Sequence, residues 1–272
     1  MLQIGRVQHL VVIRKASHGL YLTSDTEDVL LPIKEVNPKW DVGESLDVFV
    51  YLDSEDRPIA TTRRPIAQIG DFAALKVVSV AAPGAFLDWG LERDLLLPHR
   101  EWRSEIVEGM TVFVAVYLDP VTRRPAASMR LKRHLGEIEG LEIGDKVEVQ
   151  LAEERSAGWQ VVVEGKAYGF VPGIYGELGE KKVAYVRATD PELQLIANPV
   201  GRMGDLGARD KILELLSLKD GFLDLHDKSD PAEIQRRTGF SKAMFKRGVG
   251  MLLKEGKIAI EPYGLRAVNQ QK

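Results

Sequence analysis

The sequence predicts a mainly β protein with a C-terminal α+β domain: three tandem five-stranded barrels, then three helices and a β-hairpin. Two observations predict it. The first is internal self-similarity at a spacing of about 66 residues. Gly19-Leu20-Tyr21-Leu22 followed by Leu30-Leu31-Pro32 returns as Gly84-Ala85-Phe86-Leu87 followed by Leu96-Leu97-Pro98. Gly43 returns as Gly109, and Tyr51-Leu52-Asp53 with Pro58 returns as Tyr117-Leu118-Asp119 with Pro125. A fixed period means one structural unit used repeatedly, and this one is too long for a solenoid repeat. The second observation is a change from strand-like to helical patterning after Gly201-Arg202-Met203-Gly204.

Within the first repeat, Val7 to Ile13 is rich in β-branched residues, Leu20 to Leu22 alternates, and Val29 to Leu31 stops at Pro32. Leu46 to Tyr51 alternates again. Asp53 to Pro58 reads as a hairpin turn before Ile59 to Thr61. The longest connection, Lys34 to Glu44, joins the third strand to the fourth. Five antiparallel strands of this size match the OB-fold barrel. The second repeat supplies the same five: Ala74 to Val80, Ala85 to Asp88, Leu95 to Leu97, Val112 to Tyr117 and Ala126 to Met129.

A degenerate third copy follows at a single offset of 74 residues from the second. Gly144-Asp145 echoes Gly70-Asp71, Gly158-Trp159-Gln160-Val161 echoes Gly84-Ala85-Phe86-Leu87, and Gly169-Phe170-Val171-Pro172 echoes Leu95-Leu96-Leu97-Pro98. Farther on, Ile212, Leu213, Leu215 and Leu216 mark an amphipathic helix. Asp230 before Pro231 caps a second helix that stops at Gly239, and Ser241 caps a third that closes at Gly256. Lys257 to Ile260 and Leu265 to Val268 flank Pro262-Tyr263-Gly264 as a hairpin, which completes a winged helix-turn-helix. The expected boundaries are 1–65, 66–135 and 136–200 for the barrels, 201–207 for a linker and 208–272 for the winged helix.

Composition narrows the function. No apolar run approaches the ~18 residues that a membrane span needs, so no membrane partner is expected. Met1 to Gly5 lack the charge and apolar core of a signal peptide, and cysteine is absent. Cytoplasmic residence is therefore the expectation. The net charge is -3. It is unevenly placed: residues 208–272 hold 13 Lys and Arg against 9 Asp and Glu, while the preceding 207 hold 24 against 31. Five scattered histidines show no metal-ligand spacing, and no P-loop, nucleophile elbow or dinucleotide fingerprint occurs. Neither a catalytic residue, a metal nor a cofactor is expected.

An OB barrel binds single strands by stacking bases on outward-facing aromatics over a positive track. Alternation puts Tyr21 and Phe86 outside and their aliphatic flanks inside. The competing reading is that these rings pack against a neighbouring domain. Trp89, His99, Arg100, Trp102 and Arg103 are expected near Phe86 as an aromatic and basic cluster, with core packing the alternative for Trp102. Arg63-Arg64, Arg123-Arg124, Arg130, Lys132 and Arg133 are candidate phosphate contacts, or simply solvated charge. The third copy has Gln160 in the aromatic position, with Tyr168, Phe170 and Tyr175 nearby. On the third helix, Lys242 and Lys246 share a face beside Arg247 and form a candidate nucleic-acid contact; ordinary solvation or a docking surface is the alternative.

The barrel motif Gly84-Ala85-Phe86-Leu87-Asp88 with Leu95-Leu96-Leu97-Pro98 resembles the S1 domain, an RNA-binding OB repeat. The C-terminal run Asp227 to Pro231, Ser241-Lys242, Phe245-Lys246-Arg247, Gly250, Leu252 and Lys257-Ile258 resembles the conserved virulence factor B (CvfB-like) family. The resemblance implies bacterial RNA-binding regulators of gene expression without catalytic activity, and single-stranded RNA as the partner. Two alternatives stay open: a duplex-DNA regulator acting through the winged helix, and a protein-interaction scaffold.

Overall fold

The computed structural model describes residues 1–24, 26–190, 192–199 and 201–268. It forms two compact units, Met1–Glu137 with Gly165–Ala167, and Ile138–Glu164 with Tyr168–Lys272.

The first unit holds two barrels of identical topology. Strands β1 (Arg6–Ala16), β2 (Gly19–Thr23), β3 (Asp28–Pro32), β4 (Ser45–Leu52) and β5 (Pro58–Thr61) close in the order β1-β2-β3-β5-β4. Strands β6 (Phe72–Ala81), β7 (Gly84–Asp88), β8 (Leu95–Pro98), β9 (Thr111–Leu118) and β10 (Pro125–Ser128) repeat it. The third and fifth strands of each barrel pair in parallel, Leu30 beside Ile59 and Leu96 beside Ala126. The alternation seen in the sequence is the pleat itself: Leu20, Leu22, Ala85 and Leu87 are buried, and Tyr21 and Phe86 between them are not.

The first strand of each barrel is long because it pairs with both the second and the fourth. It must therefore bend, and a break in register supplies the bend. Pairing shifts between Val12 and Arg14 in β1 and between Val77 and Ser79 in β6. A glycine then starts the second strand. At Gly19 and Gly84, φ is +152° and +151°, and a Cβ would stand 2.1 Å and 2.2 Å from the carbonyl oxygens of Leu31 and Leu97. No other residue type fits there.

Each barrel has its own core, and the first barrel reaches into that of the second through Phe49. Phe49 on β4 is fully buried, but its ring packs with the hydrophobic cluster of the second barrel. It meets Trp89 edge-on at 5.6 Å between centroids and stacks on Tyr51 at 6.1 Å. Backbone and side-chain ties add to this: Ile69 N donates to Gly5 O, and Arg124 Nε donates to Asp56 Oδ1 at 2.8 Å.

The second unit contains β11 (Lys146–Arg155), β12 (Gly158–Val163), β13 (Ala167–Pro172), β14 (Lys181–Ala188) and β15 (Leu193–Ile196), again closed as β11-β12-β13-β15-β14. The bulge recurs between Leu151 and Glu153, and the glycine recurs at Gly158. Three helices follow: α1 (Arg202–Leu218), α2 (Pro231–Thr238) and α3 (Lys242–Lys254). The caps read from the sequence are made. Asp230 accepts from Ala232 N and Glu233 N, Ser241 accepts from Met244 N, and Gly239 adopts φ +77°. Ile212, Leu216, Phe245, Val249 and Leu252 fill the helical core.

Two features differ from expectation. A two-residue strand β16 (Phe222–Leu223) joins β17 (Ile258–Glu261) and β18 (Gly264–Ala267), making a three-stranded sheet. Two residues carry no readable alternation. The segment 201–207, expected as a linker, lies almost wholly inside α1. Its glycines lower helix propensity, but the surroundings of Gly204 leave no room for a side chain. A Cβ at Gly204 would stand 2.1 Å from the Pro199 carbonyl oxygen and 2.5 Å from Met244 Cε, and one at Gly248 on α3 would come within 2.9 Å of Arg209 N on α1. Arg247 Nε also donates to Asp205 Oδ1 at 2.6 Å, which places a carboxylate in the first turn of α1.

Candidate nucleic-acid interface

The two outward rings of the first unit occupy equivalent places but have different neighbours. Tyr21 faces Arg14 across β1 and β2 and Leu30 across β2 and β3. The guanidinium carbon of Arg14 lies 3.8 Å from the centre of the Tyr21 ring. His18 Nε2 and the Tyr21 hydroxyl share a hydrogen bond of 3.0 Å, and the two rings meet edge-on. One face of Tyr21 is thus covered by a cation. Phe86 faces Ser79 and Leu96 instead. A serine is too short to cover a ring, so Phe86 is the less encumbered platform.

The cluster expected around Phe86 is only partly assembled. Trp89 is 4% exposed, with its ring in the core of the second barrel and Nε1 donating to Arg93 O. This departs from an exposed aromatic cluster: Trp89 follows the last residue of β7, where the chain turns against Phe49. His99 and Arg100 stand exposed on the short turn after β8, and Arg103 is exposed beyond it. His99 packs at 4.4 Å against Trp102, which is half-buried and donates from Nε1 to Leu97 O at 3.0 Å.

Arg100 is the best-positioned cation. Its Nη2 bonds the Asp119 carboxylate, while much of its side chain remains exposed. Asp119 is buried and also accepts from Val121 N and Thr122 N at 2.9 Å each. Those backbone N–H groups, with Arg100 beside them, hold its carboxyl below the usual range against the opposing effect of burial. Burial pushes the Tyr51 phenol up, aided by Glu35 and Glu92, so it stays neutral.

Most of the other candidate phosphate contacts have internal partners. Arg63 pairs with Glu92 at 3.4 Å and Arg64 with Asp47 at 3.8 Å. Arg124 bridges to Asp56, Arg130 Nε donates to Arg100 O, and Arg133 pairs with Glu101 at 3.7 Å. The exposed pairs among these, Arg63 with Glu92, Arg64 with Asp47 and Arg124 with Asp56, contribute about 0–1 kcal/mol each, so phosphate can exchange for them. Arg123 and Lys132 are exposed.

In the third barrel Gln160 faces Glu153 across β11 and β12. Tyr168 and Phe170 are half-buried on β13, and Tyr175 is exposed beyond it. On α3 the expected basic face is divided. Lys242 is half-buried and donates to Ser229 O at 2.9 Å, Lys246 is exposed 3.8 Å from Asp227, and Arg247 is held by Asp205. Tyr263 projects from the wing turn, 83% exposed.

Sequence reasoning missed three contributors beside Phe86: Tyr51, Leu52 and Leu96. The first two appeared only as repeat markers, and Leu96 lay within an apolar run whose middle residue points outward. Among the described residues no cluster of three or more His, Asp or Glu could hold a metal, and no helix is long and apolar enough to cross a membrane.

Comparison with known proteins follows the same division. The S1 domain model matches residues 4–63 and 69–130, and the CvfB-like winged helix domain model matches 210–266. The uncharacterized protein YitL of Bacillus subtilis is 23% identical over 93% of this chain and 90% of its own length. Conserved virulence factor B of Staphylococcus aureus USA300 is 26% identical, with 95% and 92% covered. A crystal structure of a multidomain protein with nucleic acid binding domains from Streptococcus pneumoniae covers 97% of this chain and 98% of its own, at 22% identity and a TM-score of 0.43. S1 and winged helix domains are nucleic-acid-binding modules, and neither matched family is an enzyme family. With S1 domain matches in its first unit and a CvfB-like winged helix match in its second, the chain is similar over nearly its whole length to conserved virulence factor B.

Proposed function

We propose that the protein is a non-catalytic RNA-binding regulator that stacks single-stranded RNA on the outward rings of its first two barrels. Phe86 is the principal platform, Tyr21 the secondary one, and the winged helix an auxiliary basic contact. One observation carries this reading: an outward aromatic at the same strand position in two barrels, with Phe86 flanked by Ser79 and Leu96 rather than by a covering group. Arg100, fixed by Asp119, stands on the turn just beyond β8 and supplies charge for the backbone.

The test is fluorescence anisotropy of the full chain with single-stranded RNA, single-stranded DNA and duplex DNA at two salt concentrations. Preference for single-stranded RNA, reduced by Phe86→Ala with Tyr21→Ala in a protein that remains folded, is the expected result. Preference for duplex DNA, reduced by Lys246→Ala, would favour the winged helix as the main contact. No binding at low salt would favour a protein scaffold, in keeping with the acidic balance of the first 207 residues.

A further inference from the structure

A cavity of about 440 Å³ opens beside Phe86, within the first unit, where the two barrels meet. The volume falls within the range of about 300–1,000 Å³ typical of small-ligand sites. Its apolar wall comes from both barrels: Phe86 and Leu96 from the second, Tyr51 and Leu52 from the first. Two guanidinium groups at its edge are fixed before any ligand arrives. Arg100 is held by Asp119, and Arg124 donates from Nε to Asp56 Oδ1 and from Nη2 to Asp53 O at 3.0 Å. With Arg93 against Asp94 and Asp119, three cations face two carboxylates. The Asp119 carboxylate is already taken up by Arg100 and two backbone N–H groups.

We infer that this cavity receives one nucleotide of a bound single strand: its base against Phe86 and Leu96, its phosphate at Arg100 and Arg124. The inference rests on the stacking reading and adds a second barrel to it. A planar apolar base matches the aromatic and aliphatic wall, and a phosphate matches the pre-set guanidinium pair. Because Tyr51, Leu52 and the anchors of Arg124 belong to barrel 1, neither S1 domain alone contains the site.

The test uses the full chain and a fluorescein-labelled ten-nucleotide single-stranded RNA, read by anisotropy. Leu52→Trp fills the cavity from the barrel 1 side without altering Phe86. About tenfold weaker binding is expected, the effect of losing a stacked base. Unchanged affinity in a variant with the parent thermal melt would overturn the inference. If Leu52→Trp does not fold, Val121→Glu decides, since Val121 is 81% exposed at the cavity edge and the new carboxylate would oppose phosphate. Severalfold weakening supports the site, and no change overturns it. Phe86→Ala separates the two readings. If it weakens binding while the cavity variants do not, stacking stands and the cavity falls; if it has no effect, stacking itself falls. Adenosine 5′-monophosphate as competitor separates the ligand sources. Displacement only at millimolar concentration fits a unit of a strand, whereas micromolar displacement would assign the cavity to a free nucleotide and overturn the strand assignment.

Discussion

Arg14 lies over the ring of Tyr21 at 3.8 Å, and the corresponding cross-strand pairs in the other two barrels are Ser79 with Phe86 and Glu153 with Gln160. The same bulge presents all three pairs, so only their chemistry differs. In the first pair a cation occupies a ring face, in the second the ring is open, and in the third there is no ring and a carboxylate faces it.

Ser79→Arg should therefore weaken single-stranded RNA binding even though it adds a positive charge. A guanidinium over Phe86 would have to be displaced by the base, at a cost of about 0.5–1 kcal/mol for an exposed cation–π contact. Anisotropy should show a loss of about two- to fivefold. Tighter binding would mean that bulk charge dominates and that ring access is irrelevant.

Phe86→Ala and Tyr21→Ala should differ in size. Loss of a stacked base is worth about 1–3 kcal/mol, and the larger loss belongs to Phe86 because its platform is open. Both rings are half-exposed, so the melting temperature should move little. Equal losses would contradict the ranking of the two sites.

Phe49→Ala should destabilise both barrels of the first unit together. The ring is fully buried in the core of the second barrel, and removing a core aromatic costs about 3–5 kcal/mol. Thermal unfolding followed by tryptophan fluorescence would show one shifted transition. Separate transitions with only barrel 1 affected would contradict this link between the barrels.

Most of the fold was legible because its signals are local. Gly19, Gly84 and Gly158 mark a position where a Cβ would strike a carbonyl, so the repeat is a steric requirement written three times. The caps Asp230 and Ser241 are likewise short-range. Residues whose role depends on tertiary contact were not legible. Nothing local in Ser45 to Leu52 shows that Phe49 packs into the next barrel, or that Trp89 turns inward to meet it. Gly204 reads as a break because a single sequence does not reveal that the Pro199 carbonyl and Met244 lie against it.

Gly84→Ala tests that steric requirement directly. The new Cβ would stand 2.2 Å from Leu97 O at φ +151°, and strain of this kind costs about 1–3 kcal/mol. Chemical denaturation should show that loss, whereas Gly109→Ala, where a Cβ meets nothing within 4 Å, should lose only the penalty of its positive φ.

The first unit should also lose stability in acid through Asp119. Its carboxyl is held below the unfolded value, so its contribution is complete above pH ~4 and is lost as pH falls through the folded value. Asp119→Asn should flatten part of the stability slope between pH ~5 and ~3 relative to the parent protein. An unchanged slope would show that the carboxylate is not linked to folding.

The contact of Phe49 with Trp89 between the two barrels also bears on avidity. If Tyr21 and Phe86 both take bases as proposed, they do so within one compact unit, so once a strand is caught on one, its arrival at the other is an intramolecular event. The effective concentration is then set by nucleotide spacing rather than by a flexible tether. The proposed stacking would then make binding depend on strand length: oligonucleotides too short to reach both rings should forfeit the gain, and lengthening beyond that threshold should add little.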